Sequence, residues 1–183
     1  MKKISFLVII MSMLISSMFI SCSKIIDALE ITVPVTYNVP INVAEGLAKS
    51  DTYPFGGTAS FDPSSASELE PYLATIRNVS ITEVTMIVSS ITPATGVSLT
   101  DATLTITDNV TNASFTYTIT AVTPLIVGTS FTISKSAPGF DTVTNIINDL
   151  HAATVSLNGH VNQTGFSITF DNIISADITV GVP

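Results

Sequence analysis

The chain has 183 residues, of which 46% are hydrophobic and only 11% are charged. This length favours either one domain or one domain with an appendage. The formal net charge is −8, and the chain has one Cys and two His. These numbers exclude a phosphate-tracking nucleic-acid binder, a disulfide scaffold and a cysteine-rich metal or iron–sulfur site.

The N-terminal segment has the pattern of a secretory signal peptide. Lys2 and Lys3 precede an uncharged stretch over residues 4–20, like the basic and apolar regions of such a peptide. At about 17 residues, this stretch also reaches the lower limit for a membrane-spanning helix, so an uncleaved helix is the alternative. No cluster of charges follows that would stop transfer, which favours cleavage.

The only thiol lies at the end of this stretch, because Cys22 directly follows Ser21. Here the chain resembles a bacterial lipoprotein signal, in which a small residue precedes a Cys that becomes lipidated. Phe19 and Ile20 make this a relaxed form of the lipobox, and the resemblance covers residues 1–22. It implies cleavage before Cys22 and lipidation of this residue by a diacylglyceryl group and an N-acyl group, which carry fatty acyl chains such as palmitate.

The same resemblance predicts the localisation of the protein and the boundaries of its segments. Ser23 rather than Asp follows the Cys, which implies the outer membrane under the sorting rule of enteric lipoproteins. The expected organisation is a signal peptide at 1–21, a lipidated Cys with a short tether at 22–29, and one β-sandwich domain at 30–183.

The first segment of the domain alternates apolar and polar side chains over residues 30–43, which predicts one half-buried strand or two collinear ones. Pro34 and Pro40 share the polar parity, so their missing N–H donors face the same side. An edge strand tolerates this arrangement.

Several later segments also have strand patterns. The alternation over residues 79–89 slips at Thr82-Glu83, which predicts a β-bulge. Residues 102–107 and 115–121 alternate apolar side chains with Thr, and the Asn- and Asp-rich residues 108–114 would join them as a hairpin. Further strands are expected at 57–61, 129–134, 154–157, 166–170 and 176–182.

Two segments depart from the strand pattern. Within residues 140–151, the apolar side chains Phe140, Val143, Ile147 and Leu150 follow a three-four-three spacing and Asp141 lies near the start, which predicts one amphipathic helix. Residues 67–76 predict a shorter helical turn. Pro71 is expected near its start, since proline is tolerated only there.

The pair Asn158-Gly159 predicts a type I′ turn and therefore a short hairpin between Leu157 and Val161. About eight short strands with turn signals between them and one helix predict a mainly β protein, an antiparallel β-sandwich. An up-and-down barrel is the alternative.

Few residues suggest chemistry. His151 and His160 lie nine positions apart; a two-His metal site is one interpretation, and two surface histidines are the expected one, since no ligand stands at a familiar spacing beside them. No G-x-S-x-G motif is present. The sequence therefore predicts no catalytic residue, no cofactor and no metal site.

Two groups of turn-forming residues carry oxygen atoms that Ca²⁺ could use. Neither has the ligand order of an EF-hand, so both are expected to form turns without metal. The first group is Asp101, Asp108 and Asn109, and the second is Asp171, Asn172 and Asp177.

The Thr side chains of the two Thr-rich strands would form a hydroxyl array if the strands pair. Flat Thr arrays can bind ice or glycans, but the preference of Thr for strands explains such rows without a ligand. The rows are Thr103, Thr105 and Thr107, and Thr116, Thr118 and Thr120.

The chain as a whole is similar to the small β-sandwich lipoproteins of Bacteroidota. This resemblance implies a non-enzymatic, lipid-anchored binding or assembly module of the cell envelope. Its expected partners are the membrane, through the lipid, and another envelope protein or a glycan. The alternatives are an enzyme or hydrolase accessory that uses loop carboxylates, and a lipid carrier with a cavity between its sheets.

Overall fold

The computed structural model describes residues 29–45, 53–120 and 123–181, and most of them form strands. The strands are β1 (Glu30–Glu45), β2 (Tyr53–Phe61), β3 (Ile76–Thr92), β4 (Ser98–Asp108), β5 (Ser114–Ile119), β6 (Thr123–Pro124), β7 (Ser130–Thr132), β8 (Ala153–Val161) and β9 (Ser167–Gly181). The helix is α1 (Asp141–Asn148), and two 3₁₀ helices occupy Pro63–Ser65 and Glu70–Thr75. The predicted mainly β fold with one helix is confirmed, with nine strands in the described residues instead of about eight.

The strands form two antiparallel sheets that are joined at β1. The first sheet has the order β1-β9-β3-β7, and the second has the order β5-β4-β8-β2 with β6 beside β4. Residues 30–43 of β1 pair with β9, whereas Ala44 and Glu45 pair with β2. The opposite edges, β7 and β5, leave one side of the sandwich open. Helix α1 packs against β3, β4 and β5 on that side.

Apolar side chains from both sheets and from α1 fill the space between the layers. The helix contributes Val143, Ile146 and Ile147, all of them fully buried. The burial of Phe140, Val143 and Ile147 confirms most of the predicted amphipathic face, but Leu150 is half-buried and the helix ends at Asn148, before the predicted boundary at residue 151. The largest fully buried side chains include Phe115, Phe170, Ile41, Leu69, Met86, Leu99, Leu104, Ile106, Leu125 and Leu157.

The sandwich has two distinct ends. At the end that we call the helix end, Phe61 and Asp108 both lie opposite Ala153, and Glu30 lies opposite Gly181. At the other, which we call the turn end, Tyr53 and Leu99 lie opposite Val161, Val43 lies opposite Ile168, and a turn spans residues 126–129. The described chain therefore enters the sandwich at the helix end.

The predicted edge strand and bulge are confirmed. Within the described residues, β1 pairs over 30–43 with β9 alone, and the ladder continues through Pro34 and Pro40. The open side of β1 needs no donor from these prolines. The register of β3 against β9 shifts between Ile81 and Glu83, where the alternation slips. The hairpin of β4 and β5 also forms as predicted.

The predicted turn at Asn158-Gly159 is wrong. Both residues lie inside β8, where Asn158 is opposite Gly56 on one neighbour and Thr103 on the other. A Cβ atom at Gly159 would collide with the backbone carbonyl oxygen of Asp101 and lie 2.9 Å from the Cα atom of Ala102. The glycine therefore permits close approach of two strands and does not form a turn.

Other predicted boundaries also change. The strands expected at 166–170 and 176–182 are one strand, β9, because buried side chains continue to alternate between them. The strand expected at 154–157 extends through residues 153–161. The turn expected at 67–76 is the second 3₁₀ helix, with Pro71 near its start as predicted. The predicted signal peptide, Cys22 and most of the tether lie outside the described residues.

Candidate functional site

Both histidines pair with aspartates of β4, at opposite ends of that strand. The Nδ1 atom of His151 lies 2.8 Å from Oδ2 of Asp108 at the helix end. The Nδ1 atom of His160 lies 2.9 Å from Oδ1 of Asp101 at the turn end. The intervening residues form nearly all of β8, so the histidines stand about 25–30 Å apart. The interpretation of His151 and His160 as one metal site is therefore wrong.

Asp108 is the centre of the helix-end pair. The backbone N–H groups of Val110 and Thr111 donate to its Oδ1 at 2.7 and 3.1 Å, and the Thr111 hydroxyl donates to Oδ2 at 2.7 Å. Burial opposes ionisation of this carboxyl, but the hydrogen bonds from His151, Thr111 and the backbone outweigh burial and hold its pKa well below the usual value. The pair connects the β4–β5 turn to the residues that follow α1.

The turn-end pair has a different environment. The Asp101 and His160 side chains are 45% and 44% exposed, whereas those of Asp108 and His151 are 5% and 23% exposed. Apart from His160, no described residue hydrogen-bonds to the Asp101 carboxylate. Water and salt therefore weaken the attraction in this pair.

An Asp–His pair can orient an imidazole for acid–base chemistry, because the carboxylate fixes Nδ1 and leaves Nε2 available. A hydrolytic triad also requires a nucleophilic hydroxyl or thiol near Nε2. Within the described residues, no Ser, Thr or Tyr hydroxyl is hydrogen-bonded to His151 or His160. The pairs as they stand connect strands, and the absence of a catalytic residue stays a prediction.

The two groups of possible calcium ligands are dispersed. In the first group, Asp101 and Asp108 stand at opposite ends of β4, and Asn109 accepts a hydrogen bond from the Thr154 hydroxyl. The second group does not surround a turn as predicted, because its three residues lie within β9. Among the described residues, no three His, Cys, Asp or Glu side chains come together at a geometry suited to a metal ion.

One member of the second group, Asn172, is buried between the sheets. Its Nδ2 donates to the carbonyl oxygen of Val39 at 3.0 Å, and its Oδ1 has no hydrogen-bond partner. Asp171, the preceding residue, lies on the outer face because successive strand residues point to opposite faces. This polar atom in the core is a feature that the alternation pattern did not predict.

Tyr37 connects the first 3₁₀ helix to the first sheet. Its hydroxyl donates to the carbonyl oxygen of Pro63 at 3.3 Å, and its ring packs edge-to-face on Phe61. Burial, helped by the negative charges of Glu68 and Asp62, raises the pKa of Tyr37 to about 12. The tyrosine therefore remains a neutral structural residue at physiological pH.

The outer face of the second sheet carries ten hydroxyl side chains in register. Thr58, Ser156, Thr105 and Thr116 lie side by side in one row that crosses β2, β8, β4 and β5. We call the complete set the hydroxyl face, and it consists of Thr58, Ser60, Thr103, Thr105, Thr107, Ser114, Thr116, Thr118, Thr154 and Ser156. The predicted pairing of the two Thr rows is thus observed for all members in the strands, and Thr120 follows β5.

The hydroxyl groups of this face are largely free. Thr154 donates to Asn109, and the other nine make no hydrogen bond with any described residue. On the outer face of the first sheet, by contrast, the Ser90 hydroxyl donates to Thr169, which donates to Asn42, at 2.9 and 2.7 Å. That face also carries Asp171 and Asp177, and the outer face of the second sheet carries one carboxylate, Asp101, which is paired with His160 at the turn end of the hydroxyl rows.

Sequence reasoning did not find the features that define these sites. The two Asp–His pairs depend on the register of β4 against β8, which brings together residues separated by 43 and 59 positions. The extension of the hydroxyl rows to β2 and β8 depends on the strand order. The alternation of Thr154 and Ser156 with buried neighbours was a signal that could have found part of it.

No protein-family model matches the chain, and no curated protein matches it. Similar solved structures include a cryo-EM structure of Mud crab tombus-like virus, with 9% identity and a TM-score of 0.35, covering 85% of this chain and 82% of that one. A structure of Desmodium yellow mottle tymovirus has 11% identity and a TM-score of 0.27, covering 79% and 82%. At these TM-scores the likeness carries no functional argument. No helix in the described residues is long and apolar enough to cross a membrane.

Proposed function

We propose that this chain is a non-enzymatic, lipid-anchored binding protein of the cell envelope, held in the outer membrane through acylated Cys22. We further propose that it binds a neutral glycan chain through the hydroxyl face. The observation that carries the binding function is the row of uncharged, unpaired hydroxyl groups across four neighbouring strands.

The anchor is supported by the sequence before the sandwich. Lys2 and Lys3, the apolar stretch and Ser21-Cys22 together resemble a lipoprotein signal. Cys22 lies seven positions before Leu29, where the described chain approaches the helix end. A single acyl chain binds membranes only marginally, but the several chains of a mature lipoprotein bury many CH₂ groups at about 0.8 kcal/mol each.

The hydroxyl face has the chemistry to recognise a glycan. Hydroxyl groups donate and accept hydrogen bonds, as sugar hydroxyl groups do, and the ten hydroxyl side chains themselves carry no charge, which favours a neutral ligand. Neighbouring strands are rotated by about 20–25° in a typical sheet. The rows therefore curve, which suits a flexible glycan chain better than the flat lattice of ice.

The anchor is tested by replacing the thiol. In cells fed a palmitate analogue, we expect the wild-type chain to be labelled and the Cys22→Ser variant to lose the label and leave the membrane fraction or remain an unprocessed precursor. Ser17→Ala, a control in the same segment, keeps the label. An unlabelled wild type, or a Cys22→Ser variant that is cleaved normally and stays membrane-bound, would contradict the anchor.

The binding surface is tested by removing one row of hydroxyl groups. We expect the full chain to co-sediment with chitin, an insoluble and uncharged glycan, and Thr58→Val with Thr105→Val and Ser156→Ala to weaken binding roughly tenfold or more, since each hydrogen bond contributes about 0.5–1.5 kcal/mol. Thr32→Val with Thr36→Val, on the first sheet, is the matched control. Equal loss in both variants, or no binding by the wild type, refutes the glycan assignment.

A hydrolase role is the second candidate, and the Asp108–His151 pair is the observation that favours it. Its test is turnover of simple ester substrates by the full chain. Activity that Asp108→Asn abolishes while the chain stays folded supports this candidate. The lipid-carrier alternative gains no support, because large apolar side chains such as Phe170 and Met86 occupy the space between the sheets.

A further inference from the structure

One free edge of the second sheet is formed by β5. Its six residues, Ser114–Ile119, pair with β4 on one side. Within the described residues, no hydrogen bond reaches the other side of this strand. Alternate residues of a strand direct N–H and C=O groups to each side, so β5 presents unpaired backbone groups that another strand can bind.

Two other edges of the sandwich carry features that hinder strand addition, and the β5 sequence lacks these features. In the first sheet, β1 carries Pro34 and Pro40, and the opposite edge, β7, has only three residues. The β5 sequence SFTYTI contains no proline, glycine or charged residue. Proline, charge and short length are the features by which proteins prevent edge pairing. Their absence leaves the backbone edge of β5 open to an added strand, while α1 packs on its inward-facing side through the contact of Phe140 with Phe115.

The β5 sequence is complementary to itself. Ser114, Thr116 and Thr118 point to the outer face, and Phe115, Tyr117 and Ile119 point inward. Two antiparallel copies related by a twofold axis at Thr116 or Tyr117 place hydroxyl residues opposite hydroxyl residues and apolar residues opposite apolar ones. Cross-strand pairs of both kinds are favourable, and the same patch serves both partners.

We propose that β5 pairs with β5 of a second copy of this chain, so that the two hydroxyl faces join into one surface. Charge favours this contact over others between copies. The formal net charge of −8 opposes self-association in general, but β5 and the hydroxyl rows beside it are uncharged. The carboxylates at the two ends of β4, Asp101 and Asp108, are each paired with a histidine.

The affinity of this contact rests on the proposed anchor. A pairing of six residues per strand buries little surface and is weak between proteins in dilute solution. Two chains held on one membrane by short tethers meet at a high effective concentration, which converts a weak contact into a populated dimer. The joined hydroxyl faces would also let one glycan chain contact both copies.

Cross-linking of the full chain in membranes tests the pairing. Thr116→Cys places a thiol on the proposed contact, and Thr36→Cys places one on β1 as the matched control. With a short bifunctional maleimide, we expect a band of twice the chain mass for Thr116→Cys and none for Thr36→Cys or the wild type. No dimer band for Thr116→Cys, an equal band for Thr36→Cys, or a product of another mass that contains a different protein overturns the proposal.

A second test introduces charges on β5 and does not depend on the cross-linker. In detergent extracts with two differently tagged copies, Thr116→Lys with Thr118→Lys should abolish co-purification, as should Thr116→Glu with Thr118→Glu. Mixing the Lys variant with the Glu variant should restore it, because opposite charges then meet across the axis. Unchanged co-purification of the Lys variant, or no restoration, refutes the pairing. Palmitate labelling reports the anchor separately, so the two proposals fail independently.

Discussion

The two Asp–His pairs contain the same two types of side chain, but the helix-end pair is largely buried and the turn-end pair is exposed. At the helix end, the Asp108 side chain is 5% exposed and accepts three further hydrogen bonds, whereas at the turn end Asp101 is 45% exposed and binds only His160 among the described residues. A buried, fully hydrogen-bonded carboxylate cannot lose its partners without cost, and an exposed one exchanges them for water. We therefore expect the two ends to respond differently to equivalent substitutions.

The largest effect should follow a charge placed in the buried face of α1, the helix that precedes His151. Ile147→Asp puts an unpaired carboxylate on the fully buried face of α1 and should cost about 3–5 kcal/mol of unfolding free energy. Its control at the turn end is Ile126→Asp, where the side chain is 56% exposed, with an expected change within about 0.5 kcal/mol. Denaturant titration measures both. Similar unfolding free energies for the two variants would contradict the difference that we expect between the two ends.

The next effect should come from the carboxylate itself. Asp108→Asn removes the charge that His151 and the β4–β5 turn bind, so it should lower the melting temperature at pH 7. The folded pKa of Asp108 lies below its unfolded value of about 3.9. Its contribution is therefore present above about pH 4 and is lost as the pH falls towards the folded pKa.

The lowered pKa of Asp108 can be tested by measuring stability against pH. Melting curves of wild type and Asp108→Asn should differ at pH 7 and converge on acidification below pH 4. A constant difference between pH 7 and pH 2 would show that the hydrogen bonds of Asp108 do not depend on its charge.

At the turn end, backbone contact should matter more than the ion pair. Gly159→Ala forces β4 and β8 apart at Asp101 and should cost about 1–3 kcal/mol. Gly56→Ala is the control, because its Cβ atom would meet only the movable side chain of Asn158. Equal unfolding free energies for the two variants would disprove the close approach.

The smallest effect is expected for the exposed pair. Asp101→Asn should change the unfolding free energy by about 0–1 kcal/mol, and high salt should reduce even this difference. A loss as large as that of Asp108→Asn would contradict the role of burial. Thermal melts of both variants in the same buffers make the comparison direct.

Local patterns predicted the fold class because this chain alternates strictly where one strand face is buried. Three features could be predicted because each depends only on nearby residues: the edge prolines of β1, the slip at Thr82-Glu83 and the apolar spacing within α1. The Asn158-Gly159 prediction failed because glycine serves two purposes, a positive φ or a close approach, and only the neighbouring strand decides between them. Strand order and register, on which both Asp–His pairs depend, are set by contacts between distant residues.

The position of β9 has a consequence for how the chain folds. This strand lies between β1 and β3 in the first sheet, so β1 pairs over residues 30–43 with a segment more than a hundred positions later. Pairing between such distant segments slows folding, since a large loop must close first. The sheet cannot form until residues 167–181 have been synthesised. The second sheet has the same constraint, because β8 lies between β4 and β2, so neither sheet can be completed until nearly the whole described chain has been synthesised.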